Sequence, residues 1–454
     1  MNTTNKMIGA DYKSVPRIYK FVGLGDSRLR GNDVFATVKT ARNRFFTWAL
    51  WVIFTLCLLS FASQKMQAQT YGWYGSGGPG PFVINDADDL AGLAEIVNGT
   101  WGLIPASDNF NGKTITLAAD INLSGYTTGD GWTPIGKDTD PFSGTFDGGN
   151  HTITHLKIDG SGISFIGLFG YVDGGTIKNL QLDGVAVRAV SSSGTGGNNV
   201  GGVVGIVSGS VSNCHVTGTV EGITSVGGVA GWARAIVLAD CTSEGAISGA
   251  YQIGGIAGRI TDNSNMTDCT ATDIIVTGTD NSIGGIAGSV DGSEIDGCHV
   301  TGASPGSCTV SGASNVGGVA GTVSHGSELT DCSSSAAVSG SGDYIGGVAG
   351  GVLSNSSVED CVSTGNVSGT GGTASRIGGV AGTVDHSVIS GCHSTGAISG
   401  GYINIGGIAG LVLAGAIKNC YSNGNVNGDD GVGGVVGQMK NTIGNVVDDC
   451  YSTG

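Results

Sequence analysis

A double glycine followed by Val or Ile recurs nine times in this chain, with its first residue at Gly201, Gly227, Gly254, Gly284, Gly317, Gly346, Gly378, Gly406 and Gly433. The copies stand 26 to 33 residues apart. Near-identical units at a period of roughly 29 mark a repeat architecture, in which each unit is too small to hold its own core and must bury itself against the next. One copy alone, "IGGVAG" (Ile345 to Gly350), looks like a loop that cradles phosphate, because backbone N–H groups free of side chains approach an anion closely. Nine copies argue against that reading, since a phosphate site is needed once or twice. No nucleotide and no other cofactor is expected.

Aligning the copies shows which positions are fixed. Val or Ile always follows the double glycine, and in most copies a second apolar residue follows four positions later (Val203 and Val207, Ile256 and Ile260, Val348 and Val352), the even separation of inward positions on a strand. The residue before the double glycine is also apolar (Val200, Ile253, Ile345), but it lies an odd three positions from the next inward one. Both can face inward only across a bend, which the glycine pair is expected to supply through positive φ or a close backbone approach. A second bend is legible thirteen to seventeen residues further on, where Asn213, Asp240, Asp268, Gly297, Asp331, Asp360, Gly391, Asn419 or Asp449 precedes a cysteine. Those residue types tolerate the left-handed conformation best. A third bend is expected in closing strings such as "CVSTGNVSG" (Cys361 to Gly369). Three short strands and three bends per unit predict an all-β chain folded as a right-handed parallel β-helix, a β-solenoid with coils of roughly 29 residues.

The glycine count, 86 in 454 residues, fits such a coil and not several conventional cores. Upstream of the repeats, residues 82–165 read as an N-terminal cap with the first irregular coils. "INDADDLAGLAEIVNG" (Ile84 to Gly99) has the acidic start and the apolar Leu90, Leu93, Ile96 and Val97 of a short capped helix. The run "FFTWALWVIFTLCLLSF" (Phe45 to Phe61) follows Lys39, Arg42 and Arg44 and precedes small and polar residues, the order of an export signal over 45–68. Cleavage after Ala68 is the adopted reading; cleavage after Ala62 and an uncleaved anchor are its alternatives. Residues 1–44, including "GDSRLRGND" (Gly25 to Asp33), read as an extension outside the native start or as disordered, and 69–81 as a linker. The chain stops at Gly454 in mid-repeat, which raises the expectation of a longer protein.

Residues 69–454 hold ten basic and 33 acidic residues, a net charge of −23. Such a surface repels nucleic acid and anionic lipid, so neither is expected as a partner, and contact with membrane is expected only through the export signal.

At Ile166 to Gly170 the chain reads "IGLFG", followed by "YVDGGTIKNLQLDGV". The string resembles the GLUG repeat of bacterial extracellular proteins, among them adhesin-like proteins and a family of IgA-cleaving metallopeptidases. "GGVAG" and "GGIAG" vary the same slot in later copies, and "WTPIGKDTDPFSGTFDGGNHTITHL" (Trp132 to Leu156) resembles the segment that leads into such repeats. The resemblance spans about residues 82 to 454, with the repeats over 166–454. It implies a secreted or cell-surface β-solenoid and no enzyme: peptidase activity in that family belongs to a separate zinc domain, and the chain has no HExxH string.

Candidate chemistry is sparse. Ten cysteines follow the export segment, and nine occupy one column. Parallel neighbours about 4.8 Å apart suit a stack of buried thiols better than disulfides, although pairing of some neighbours stays open. Cys308, in the insertion "GASPGSC", reads as the most reactive thiol. His215, His299 and His393 share an outward column but belong to coils three apart, too distant for a common metal. Asp240 with Asp268, and Asp331 with Asp360, stand in adjacent coils without a calcium-loop motif. No catalytic, cofactor-binding or metal residue is assigned. The leading reading is a non-catalytic adhesion or binding scaffold for an extracellular glycan or a host or cell-surface protein, through outward aromatics such as Trp232, Tyr251, Tyr344, Tyr402, Tyr421 and Tyr451. A passive stalk or part of a larger surface protein, and a β-helix polysaccharide lyase or hydrolase, are the alternatives. The last needs convergent carboxylates or a basic residue in a cleft, and no long insertion builds a cleft wall.

Overall fold

The computed structural model describes residues 73–75, 78, 80–100, 107–160, 163–190, 197–304, 306–372, 374–400, 402–440 and 444–454. The expected extension and export segment lie outside the described residues. Among the described residues no helix is long and apolar enough to cross a membrane.

The described residues form a parallel β-solenoid of about 12 turns, with an α-helix near its start. The helix, α1 (Ala87–Val97), begins where its sequence predicts: Asp86 is the N-cap and accepts from the Asp89 N–H at 2.9 Å. Leu90, Leu93, Ile96 and Val97 are buried. Past its C-terminal end the helix is tied to the coil by Asn98, whose side chain donates to the Pro134 carbonyl and accepts from the Gly136 N–H. Before α1, strand β1 (Phe82–Ile84) pairs with β2 (Thr114–Leu117), which pairs with β3 (Thr145–Asp147), all parallel.

One coil represents the rest. It runs through β4 (Asp343–Gly346), β5 (Ala349–Leu353), β6 (Ser357–Glu359), β7 (Val362–Ser363) and β8 (Val367–Gly369). The coil therefore has five strand segments where the sequence suggests three. The closing string divides in two, and a tight turn at the left-handed Ser354 and Asn355 separates β5 from β6. Each segment pairs in parallel with its counterpart one coil on, so that Ile345 stands opposite Ile377, Ala349 opposite Ala381 and Val358 opposite Ile389.

The first two of the three predicted bends exist, but one is made differently. All nine residues before the column cysteines have positive φ, from Asp449 at 48° to Gly391 at 63°, as their types predict. The double glycine, by contrast, has no positive φ in any copy. The left-handed residue sits two positions before it (Asn199, Ser225, Gln252, Ser282, Asn315, Tyr344, Arg376, Asn404, Gly431). The glycines are there for space: a Cβ on Gly346 would lie 2.0 Å from the Ala349 carbonyl oxygen, and one on Gly347 would lie 2.1 Å from Ser363 Oγ and 2.2 Å from the Gly379 carbonyl oxygen.

The core is one continuous cluster from Tyr74 to Cys420. It begins with clustered phenylalanines, Phe142 tilted and Phe146 edge-on to Phe169, each 5.2 Å from it between ring centroids, and passes into columns of Val, Ile, Ala and Cys. Serines line one buried bend. The N–H groups of Ser264, Ser293, Ser327 and Ser356 each donate to the hydroxyl of the serine one coil on, at 3.2 Å. A small hydroxyl there satisfies backbone that a corner would otherwise orphan.

Candidate functional site

The residues singled out in the sequence are dispersed. His215 and His299 lie three coils apart in register, as do His299 and His393. His299 Nδ1 meets Ser333 Oγ at 2.9 Å, while the His393 ring stacks on Tyr421 at 4.7 Å, so these are half-buried members of a column and not free surface histidines. Trp232 is no open platform either. Tyr171, Ile206, Trp232 and Arg259 share one outward column. The Arg259 guanidinium lies 5.0 Å from the Trp232 ring, and that of Arg234 lies 5.5 Å from Trp232 and 5.7 Å from Tyr171, so cations cover the aromatic faces. Tyr344 carries Arg376 at 5.0 Å in the same way. Tyr251 and Tyr402 are exposed. Among the described residues no group of three or more His, Cys, Asp or Glu side chains could hold a metal ion.

Cys308 corrects the expectation placed on it. Its side chain is buried, its Sγ donates to the Thr301 carbonyl at 3.1 Å, and burial pushes its thiol pKa up, so it is an anchor of the insertion and not a reactive group. The nine column cysteines are free thiols. Each donates to the carbonyl two residues back at 3.0 to 3.4 Å. Hydrogen bonding with Cys361 and then burial push the Cys332 thiol far above its ordinary range.

The structure assembles a concave site between β7 and β8 and the matching segments of the two preceding coils, and the same face continues over the two coils that follow. The chain there reads Ser335-Ala336-Ala337, Thr364-Gly365-Asn366, Thr395-Gly396-Ala397 and Asn423-Gly424-Asn425 in four successive coils. The middle residue is glycine in three of them because the backbone of the previous coil comes too close for a side chain. A Cβ on Gly365 would lie 1.9 Å from the Ala336 carbonyl oxygen, and one on Gly396 would lie 1.9 Å from that of Gly365. The floor is therefore nearly bare backbone. Its flanks are the exposed Ser335, Thr364, Thr395 and Asn423 on one side and Asn366, Ala397 and Asn425 on the other.

One end is deepened by the short insertion before Cys308. Ala303 N–H donates to Asp273 Oδ1 of the preceding coil at 2.8 Å, which ties the insertion back to that coil, and Ser307 N–H donates to the Ser304 carbonyl at 3.1 Å within it. The space it closes off, against Ser335, Ala337, Thr364 and Asn366, measures about 550 Å3. A short insertion thus supplies a wall at one end, in a chain whose sequence offers no long one.

Two properties set this face apart. It is uncharged: positions 299–304, 306–312, 333–340, 362–369, 393–400 and 421–428 contain no Asp, Glu, Lys or Arg. Corresponding segments of earlier coils carry Glu221, Glu244 and Asp273, and a groove of about 380 Å3 there is crossed by the ion pairs of Arg188 with Glu221 and Asp159. The site is also a regular array of hydrogen-bonding groups. Asn366 Oδ1 accepts from Ala397 N–H at 3.0 Å, leaving its NH2 for other partners, and Asn423 Oδ1 likewise accepts from the Thr453 hydroxyl at 2.9 Å. A second column, Ser311, Ser339, Ser368 and Ser399, runs in register along the outer margin. On the opposite margin His393, Tyr421 and Tyr451 stack at 4.7 and 5.4 Å, and burial lowers the His393 pKa.

Three segments of the chain, residues 196–221, 249–277 and 401–427, match the GLUG motif. Halomucin of Haloquadratum walsbyi is 36% identical over 182 residues, 38% of this chain and 2% of halomucin. A candidate Gly-rich membrane protein of Evansella cellulosilytica is 37% identical over 76 residues, 16% of this chain and 9% of its own length. The chain thus spans a small part of the length of either relative. Among solved structures, a candidate immunoglobulin A1 protease of Bacteroides ovatus is 18% identical, with a TM-score of 0.39 over 70% of this chain and 77% of that one. The A-module of the mannuronan C-5 epimerase AlgE6 of Azotobacter vinelandii is 12% identical, with a TM-score of 0.32 over 81% of this chain and 96% of that one. The matched segments lie in the double-glycine coils, one of them in the coils that form the uncharged face, so the chain carries the GLUG motif at three of its repeats.

Proposed function

We propose that the protein is a secreted or cell-surface scaffold that binds an extracellular ligand, glycan or protein, along the groove between β7 and β8, without catalysis. The observation that supports this reading is the continuity of one uncharged, hydrogen-bonding groove over successive coils of an otherwise acidic chain. A hydrolase or lyase needs a pair of carboxylates or a base beside the scissile bond. Serine, threonine, asparagine, alanine and glycine make up this floor and its flanks, groups suited to holding a ligand and not to proton transfer at neutral pH. Relatives that match this chain over a few per cent of their own length, one of them named as a membrane protein, are compatible with a place at the cell surface.

The test is an array of glycans and of host surface proteins probed with the protein and with its Ala337→Lys variant, which places a cation in the groove. A ligand captured by the parent and lost by the variant supports the proposal. A ligand captured equally by both puts binding elsewhere, and no ligand at all favours the passive stalk.

A further inference from the structure

We propose that the occupant of the groove is an uncharged polysaccharide lying along the coil axis, an inference that rests on the binding reading above. Charge argues for it first. With 33 acidic residues over 69–454, a stretch of surface spanning five coils without a carboxylate offers nothing to a polycation. Lacking Lys and Arg, it offers nothing to a polyanion, which the net charge of the chain also repels.

Chemistry argues against a protein partner. Protein interfaces draw their affinity from a few deeply buried aromatic or arginine anchors. Here the groove presents Ala337 and Ala397 as its apolar groups, and the rings of His393, Tyr421 and Tyr451 stack in one column on its margin, where Tyr451 at the end is exposed and none is a buried anchor. A neutral polyol needs what is present: carboxamide NH2 groups of Asn366 and Asn423 as donors and hydroxyls such as those of Ser335 and Thr395, each donor and acceptor at once.

Periodicity argues for a polymer. The flanking groups repeat once per coil, at about 4.8 Å, so the uncharged face that runs from the concave end at the Gly302 coil to the Asn423 coil is about 19 Å long and meets a repeating ligand with repeating partners. Each contact is weak alone, and successive ones add through the shared chain.

The experiment titrates the protein with uncharged oligosaccharides of increasing length (β-glucan, xylan, chitin and α-glucan series) and with alginate and pectate as polyanions. Asn366→Glu and Thr395→Glu place a carboxylate at two exposed groove positions, and Val237→Glu does so on another side of the coil, where Val237 is 51% exposed. Melting curves for each variant confirm folding. The expected result is binding to at least one uncharged series, rising with oligomer length and insensitive to salt. It weakens by about tenfold or more in both groove variants, where a carboxylate would be buried without a partner, and is unchanged in Val237→Glu. Binding of polyanions or proteins alone, with loss in the groove variants, overturns the ligand class and leaves the groove as a binding face. Saccharide binding that ignores Asn366→Glu and Thr395→Glu overturns the site itself.

Discussion

Replacing Gly347 by alanine tests how the repeat turns its corner. The added Cβ would lie 2.2 Å from the Gly379 carbonyl oxygen and 2.1 Å from Ser363 Oγ, where ordinary contact begins near 3.4 Å. The hydroxyl can rotate away, but the carbonyl belongs to the next coil's own double glycine and can retreat only if that coil lifts. Doing so strains the hydrogen bond from Gly347 N–H to the Gly378 carbonyl, 3.3 Å long. Overpacking of this kind costs about 1–3 kcal/mol and a weakened buried hydrogen bond about 1 kcal/mol more, so a loss of about 2–4 kcal/mol is expected. Because coils in a solenoid interact only with their neighbours, the damage should be local. Hydrogen exchange should accelerate in the coils of Gly346 and Gly378 before the phenylalanine-rich N-terminal coils respond. Two controls sharpen the reading. Gly372→Ala, with nothing within 4 Å of the added carbon, should leave stability within about 0.5 kcal/mol. Adding Ser363→Gly to Gly347→Ala should rescue little, because the backbone obstacle remains. A Gly347→Ala protein that melts and exchanges like the parent would refute the argument that space, and not backbone conformation, dictates the double glycine.

Three other outcomes are expected. A thiol reagent added to the native protein should label Cys450, the half-exposed member of the column, and leave Cys308 and the other eight column thiols unlabelled until unfolding; early labelling of Cys308 would contradict its burial. Ser327→Ala removes the hydroxyl that accepts from Ser293 N–H at 3.2 Å and donates to the Ser324 carbonyl at 2.5 Å, and should cost about 1–3 kcal/mol in urea unfolding. Burial lowers the His393 pKa in the folded state, so the unfolded chain takes up the proton first: stability is full above about pH 6.5 and falls as pH drops through that value towards the folded pKa, a slope that His393→Gln should remove.

The solenoid was legible because its constraints repeat. Nine left-handed positions before cysteine could be named from residue type alone, since Asn, Asp and Gly are the residues that tolerate that conformation. The other left-handed column escaped notice for the same reason: Gln252, Tyr344 and Arg376 hold it against their preference, and the double glycine beside it drew the assignment. The buried serine ladder was hidden too, because serine is ordinary in an exported glycine-rich chain and only its N–H partners reveal a role. The candidate groove had a signal in the strings "TGN", "TGA" and "NGN", which recur one coil apart. In sequence they specify only a bend, and concavity emerges once successive bends stack and the insertion before Cys308 lies beside them.

What makes that groove more than a consequence of stacking is the difference between its inward and outward columns. Inward columns are fixed by packing. Ala349, Ala381 and Ala409 recur because a larger side chain has nowhere to go, and the column says nothing about function. Outward columns carry no such restriction, as the early coils show by placing Glu221, Glu244 and Asp273 in segments equivalent to those that later hold Ser335 to Ser339 and Thr364 to Ser368. The fold accepts charge there, and the chain as a whole is rich in carboxylates. Charge is absent from these segments in five consecutive coils, and three of the five form the concavity at the walled end. Packing cannot account for that coincidence, whereas a neutral ligand does: a carboxylate beside it would be desolvated without a partner, at a cost of several kcal/mol that the bound state could not recover. The same reasoning makes the early coils a natural control, because a ligand held by the uncharged groove should be indifferent to Glu221→Gln and sensitive to Asn366→Glu.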